Sequence, residues 1–139
     1  MEKGINDEHG KDAGPMPTNK TSLEFGTENQ TKLIGMTVKG PLFDFAPAID
    51  EYLKAHLFGD IFQRDVLVWR DRELATIAAL ANIKGVGSQI QAHYGISMNN
   101  GVTPEQLHDF IIVLEEKIGS EVARNAKDVL DQVLSAAKN

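Results

Sequence analysis

The chain contains no cysteine. That absence removes disulfides, thiolate catalysis, thiolate metal sites and iron–sulfur clusters together. Long hydrophobic runs are missing too. The longest mostly apolar stretch, Leu74 to Ala81, falls far short of the ~20 residues a membrane-spanning helix needs. Positive charge is in deficit, with 14 Lys and Arg against 20 Asp and Glu and a net charge of −6, so the basic footprint of a nucleic-acid binder is absent. Neither Gly-x-Gly-x-x-Gly nor a phosphate loop ending in Gly-Lys-Ser/Thr occurs, and Gly-x-Ser-x-Gly is missing as well. No two His stand three or four residues apart, so no helical metal pair exists and a metal would have to be gathered from separate helices. The stretch Met1 to Asp7 holds no apolar signal segment, which gives the expectation of a cytoplasmic chain.

What is present is ordinary globular composition: 139 residues, 42% hydrophobic and 24% charged, one domain's worth of chain. Residues 1–32 hold only six apolar side chains, Met1, Ile5, Ala13, Met16, Leu23 and Phe25. Such a stretch cannot by itself offset its ordering entropy. It reads as a polar tail, or as an arm ordered by lying on a neighbouring subunit, ahead of a domain over residues 33–139.

That domain reads as all-α, since no segment alternates apolar and polar residues for long enough to make a strand. Pro47 opens a helix with Ile49, Tyr52, Leu53, His56 and Leu57 along its apolar stripe; Gly59 is expected to interrupt it, and Asp60-Ile61-Phe62 to make a short helical turn. A second helix runs from about Arg70 to Lys84, its inner face Leu74, Ile77, Ala78 and Ala81, with Asp71 and Glu73 where the helix macrodipole favours carboxylates. Ser88 can cap a third, roughly 88–100, bearing Ile90, His93, Tyr94 and Ser97 on one side. Thr103-Pro104-Glu105-Gln106 is a capping box with Pro at the first helical position. The helix it opens carries Leu107, Phe110, Ile111, Leu114 and Ile118 on one face. A last helix from Ser120 turns Val122, Ala126, Val129, Val133 and Leu134 inward. Faces this rich in Ala and short aliphatics bury modest area each, which points to a core completed in a homo-oligomer.

Two side-chain groups permit chemistry. His93 shares a face with Ile90 and Ser97, whereas His9 sits in the polar tail, His56 follows Lys54-Ala55 on the first helix and is expected to be partly exposed, and His108 stands off the apolar stripe of its helix. His93 reads either as a core imidazole bonded to a carbonyl or carboxylate, or as a general acid/base oriented by Glu73 on the preceding helix. The run Arg64, Arg70, Asp71, Arg72 and Glu73 reads either as a solvated helix start or as the source of a guanidinium clamp on a substrate carboxylate. Trp69 reads as a packing residue.

Three stretches carry a family resemblance: Leu57-Phe58-Gly59-Asp60-Ile61-Phe62-Gln63-Arg64, then Arg70-Asp71-Arg72-Glu73-Leu74-Ala75-Thr76-Ile77-Ala78-Ala79-Leu80, then His93 through Leu107. In order and spacing, residues 57–130 resemble the carboxymuconolactone decarboxylase family, which includes the alkylhydroperoxidase D branch. The resemblance implies an alkylhydroperoxidase D-like helical bundle assembled into trimers or hexamers, with active sites near subunit contacts. In the peroxidase branch the pattern is Cys-x-x-Cys-x-x-x-His with a Glu on the preceding helix. Here His93 and Glu73 match, while Val86 and Gln89 stand where the two Cys would be, so thiol-dependent peroxide reduction is excluded. The decarboxylase branch needs no sulfur. By resemblance to it, His93 is the proton donor, Glu73 its orienting group, and Arg64 and Arg72 the carboxylate anchors for a small carboxylated lactone or keto acid. No metal, cofactor, nucleic acid or membrane is implied. The family's Tyr-x-Gly-x-Pro-Ala-Ala segment corresponds to Lys117-Ile118-Gly119-Ser120-Glu121-Val122-Ala123, which keeps only the Gly and one Ala. The alternative reading is a non-catalytic helical oligomer that binds a small ligand or a partner protein.

Overall fold

A computed structural model describes Gly4 and residues 7–137. Among them the architecture is all-helical: α1 (Ser22–Ile34), α2 (Pro41–Phe45), α3 (Pro47–Tyr52), a π-helix π1 (Leu53–Ile61), α4 (Trp69–Ala81), α5 (Gly87–Asn99), α6 (Pro104–Lys117) and α7 (Ser120–Ala136). No helix is long and apolar enough to cross a membrane among these residues.

The core has two parts. The larger gathers Ile77, Ile90, Tyr94, Leu107, Ile111, Leu114, Ala123, Ala126 and Leu130 from α4 to α7. Tyr94 ties α5 to α7 by donating its hydroxyl hydrogen to the Ala126 carbonyl at 3.1 Å. Burial pushes that phenol's pKa up to about 12, because the charged form has lost its water. The Thr103 box forms as its spacing requires: the Gln106 N–H donates to Thr103 Oγ1, and Gln106 Oε1 accepts from the Thr103 N–H. On α7 the fully buried line is Ala123, Ala126 and Leu130. Of the expected inward set only Ala126 is on it, while Val122, Val129, Val133 and Leu134 flank it, partly buried.

The smaller core is Leu33, Phe58 and Phe62, with Trp69 and Ile96 packed against it. It exists because α1 crosses π1 backbone to backbone. Gly26 of α1 faces the Lys54 carbonyl, and Gly59 of π1 faces the Ser22 carbonyl, each with no room for a Cβ. Ser22 Oγ donates to Asp60 Oδ1, and Asn29 Nδ2 to the Phe58 carbonyl and Gln63 Oε1. Asn99 and Asn100 of α5 donate to the Leu33 carbonyl at 2.7 and 2.8 Å, satisfying a C-terminal carbonyl that has no partner within its own helix.

The boundary expected at 32/33 falls inside α1, and this helix packs on π1 of its own chain. Its few apolar residues suffice because glycine lets the two backbones approach, so packing does not depend on side-chain area alone. Contrary to expectation, Gly59 does not interrupt the helix; the chain continues through it in π-helical form to Ile61. In that register the glycine is the contact point for α1, and its missing side chain is used rather than lost.

Candidate active site at the α4–α5 contact

Glu73 occupies the fifth position of α4, one turn before Ile77 on the line that faces the core. It is 1% exposed, so a carboxylate has taken a position the apolar pattern reserves for a hydrocarbon side chain. A buried carboxylate requires a partner, and α5 supplies one. The Nδ1 of His93 lies 2.7 Å from Glu73 Oε2, and the imidazole is 30% exposed against 1% for the acid.

With Glu73 ionised, Nδ1–H is the donor and the carboxylate oxygen the acceptor, which fixes the tautomer of a neutral ring and leaves the lone pair on Nε2. Nε2 makes no hydrogen bond among the described residues, and the ring is partly open to solvent. One nitrogen is thus held by a buried charge while the other is left for an outside group. One turn further along α5, Ser97 is fully buried and its Oγ has no hydrogen-bond partner among the described residues. Helical spacing puts Ser97 on the His93 face but gives it no role, because hydroxyls are too common in helices for spacing to flag one.

The two arginines are not joined to this pair by any hydrogen bond or ion pair among the described residues. Arg72 donates from Nε to the Leu67 carbonyl at 3.1 Å and from Nη2 to the Arg64 carbonyl at 3.3 Å, with its guanidinium 5.5 Å from the Phe62 ring centre. It pins the connector between π1 and α4. Trp69 holds the same connector from the other end, Nε1–H donating to the Phe62 carbonyl at 2.8 Å. Arg64 is exposed and its guanidinium makes no hydrogen bond or close ion pair among the described residues, though its charge helps to lower the pKa of Asp65. Arg70 is also exposed and meets Asp71 at 3.4 Å.

A cavity of about 330 Å³ opens along α5, with Ile90, one turn before His93, in its wall. Val86, Ala81, Val122 and Val129 give it an apolar lining, and Lys84, Glu121 and Asn125 edge it. Val86, at the first position of the family's cysteine pair, starts α5 as its N-cap, while Gln89 at the second is exposed. His56 is 72% exposed and meets Asp60 at 3.2 Å; His9 and His108 are exposed. Among the described residues no three His, Asp or Glu side chains are close enough together to hold a metal ion.

A family model described as the carboxymuconolactone decarboxylase family matches residues 47–132. The match begins at α3 and runs into α7, taking in Glu73, His93, Arg64 and Arg72 and leaving out α1 and α2. No curated protein matches the chain.

Proposed function

Because the chain belongs to the carboxymuconolactone decarboxylase family, we propose that His93 and Glu73 catalyse cofactor-free decarboxylation of a small carboxylated lactone or keto acid. The observation that carries this reading is the 2.7 Å contact between a fully buried carboxylate and a part-exposed imidazole. A merely structural His–Glu contact has no need to keep one ring nitrogen unpaired toward solvent.

The chemistry follows from the pairing. In the protonated imidazolium both nitrogens carry hydrogen: Nδ1–H stays on Glu73, and Nε2–H faces the substrate. The carbon–carbon bond to the departing carboxylate breaks, and its electron pair moves through the conjugated system onto the carbonyl oxygen of the lactone or ketone. Carbon dioxide leaves. The resulting enolate takes the Nε2 proton on carbon, the carbonyl reforms, and the neutral ring recovers a proton from solvent. The negative Glu73 stabilises the imidazolium before transfer and holds the ring in place throughout. Arg64, exposed and with no hydrogen bond spent on the backbone among the described residues, is the anchor for the substrate's carboxylate. Arg72 acts on the connector and supports α4 from there.

The test is release of carbon dioxide from a panel of carboxylated γ-lactones and 3-keto acids. The wild type is expected to turn over at least one, and His93→Ala to lose roughly 10²- to 10⁴-fold in kcat while keeping its far-UV circular dichroism. Arg64→Ala is expected to act mainly on KM. Silence across the panel, or an unimpaired His93→Ala, overturns the proposal. The second reading, a non-catalytic oligomer, draws on Arg72: two of its five N–H donors go to backbone carbonyls, which gives this arginine a structural role in the absence of any ligand.

A further inference from the structure

Asn100 is the one asparagine of the chain that is followed by glycine. With no side chain on Gly101, nothing shields the Asn100 carboxamide from the nitrogen of the next peptide, which is the condition for an asparagine to close on its own backbone. In the folded chain both nitrogens of that reaction are held. The Gly101 N–H donates to the Met98 carbonyl at 3.1 Å. Asn100 Nδ2 donates to the Leu33 carbonyl of α1 and to the Ile96 carbonyl of α5, each at 2.8 Å. Asn99 adds a second donor to Leu33 at 2.7 Å. These two asparagines tie α1 to the end of α5, and α1 lies outside the stretch that the family model matches.

We propose that Asn100 is a self-modification site kept closed by α1, and that its conversion to a carboxylate releases α1 for good. When α1 lifts, Asn100 Nδ2 loses the Leu33 carbonyl and the turn after α5 is free to open. The Gly101 nitrogen gives its proton to water and attacks Asn100 Cγ. The new carbon–nitrogen bond closes a succinimide ring as the bond from Cγ to Nδ2 breaks, and that nitrogen takes a proton from water and leaves as ammonia. Water then opens either ring carbonyl, giving aspartate at one and isoaspartate at the other. Water is the only co-reactant. Redocking is now opposed. A carboxylate offers acceptors where the amide offered donors, and it faces the two carbonyl oxygens that the amide held. Both carbonyls belong to the last turn of their helices, where the macrodipole is negative. Isoaspartate also adds a carbon to the main chain at the turn that follows α5.

Incubation of the full chain in mildly alkaline buffer, then digestion and mass spectrometry of the peptide that carries Asn100, reads the outcome. Asn99, followed by a larger residue, is the internal control. The wild type is expected to convert at Asn100 alone, and far more slowly folded than in denaturing urea. Gly26→Ala, which pushes α1 off π1, is expected to speed conversion of the folded protein on the order of tenfold, because the rate follows the open population. Asn99→Ala, an exposed change that removes one tie to Leu33, is expected to act in the same direction and serves where Gly26→Ala does not fold. Asn100→Asp is expected to speed amide exchange along residues 30–34 while α6 and α7 keep their protection. Three results would each overturn the proposal: folded wild type converting as fast as unfolded, folded variants no faster than wild type, or an Asn100→Asp chain whose α1 exchanges at the wild-type rate.

Discussion

Two Gly→Ala substitutions of identical chemistry should move stability in opposite directions. Gly26 lies inside α1 and Gly95 inside α5, so each replacement gains about 0.5–1 kcal/mol of helix propensity. They differ in what a Cβ would meet. At Gly26 it would run into the Lys54 carbonyl and come within 2.9 Å of the Gly59 nitrogen. Both are backbone atoms of π1, so neither can turn aside as a side chain does. Relief requires α1 to back away from π1, loosening Leu33 from Phe58 and Phe62. Overpacking that moves backbone costs about 3 kcal/mol, leaving a net loss of about 2 kcal/mol after the propensity gain. For a chain of this length that lowers Tm by roughly 6–10 °C. At Gly95 nothing lies within 4 Å, so only the gain remains and Tm should rise by roughly 2–4 °C. Thermal unfolding followed by far-UV circular dichroism, with urea midpoints as a check, measures both. A Gly26→Ala protein as stable as wild type would refute the close crossing and the account of the smaller core.

Other consequences are equally open to measurement. The Tyr94 phenol, held near 12, stays protonated in the folded chain after its unfolded counterpart has ionised near 10; the unfolded state then binds fewer protons, so stability is intact below pH ~10 and falls by roughly 2–3 kcal/mol as pH rises to 12. Tyr94→Phe should remove that alkaline slope in urea melts at pH 9 to 12, and an unchanged slope would exonerate Tyr94. Thr103→Ala removes the Oγ1 that accepts from the Gln106 N–H, leaving the bond from the residue-103 N–H to Gln106 Oε1, and should cost about 1 kcal/mol in unfolding free energy from urea melts; no loss would mean that this half of the cap contributes nothing. The Gly14 N–H donates to Asp65 Oδ1 at 2.9 Å, and that bond holds the carboxyl below its ordinary pKa. Asp65→Ala should therefore speed amide exchange at Gly14 while leaving α4 untouched, whereas equal exchange rates would show that the bond does not restrain the N-terminal segment.

Helix placement was legible wherever punctuation was local. Thr103 and Pro104 announced α6, Gly85 at φ 82 and Gly119 at φ 132 mark breaks that glycine favours, and the apolar spacing of α4 to α6 follows from residues three and four apart. His93 and Glu73 could be picked out as residue types on facing helices, but not as a contact. The distance between them depends on how deeply α4 and α5 interlock, and no local rule sets that. Glu73 in particular looked like a first-turn carboxylate suited to the helix dipole, because burial is a property of neighbours twenty residues away.

Thus the sequence by itself determined the all-helical class, the absence of thiol chemistry and the identity of the residues able to carry a proton, since each depends on composition or on bonds within one turn. Tertiary structure alone decided that residues 22–34 form a helix on their own chain, that the acid is buried while its imidazole stays part-exposed, and that Arg72 serves the connector. Those outcomes are set by which backbones can touch and which charges lose their water, and both are properties of surfaces brought together across the chain.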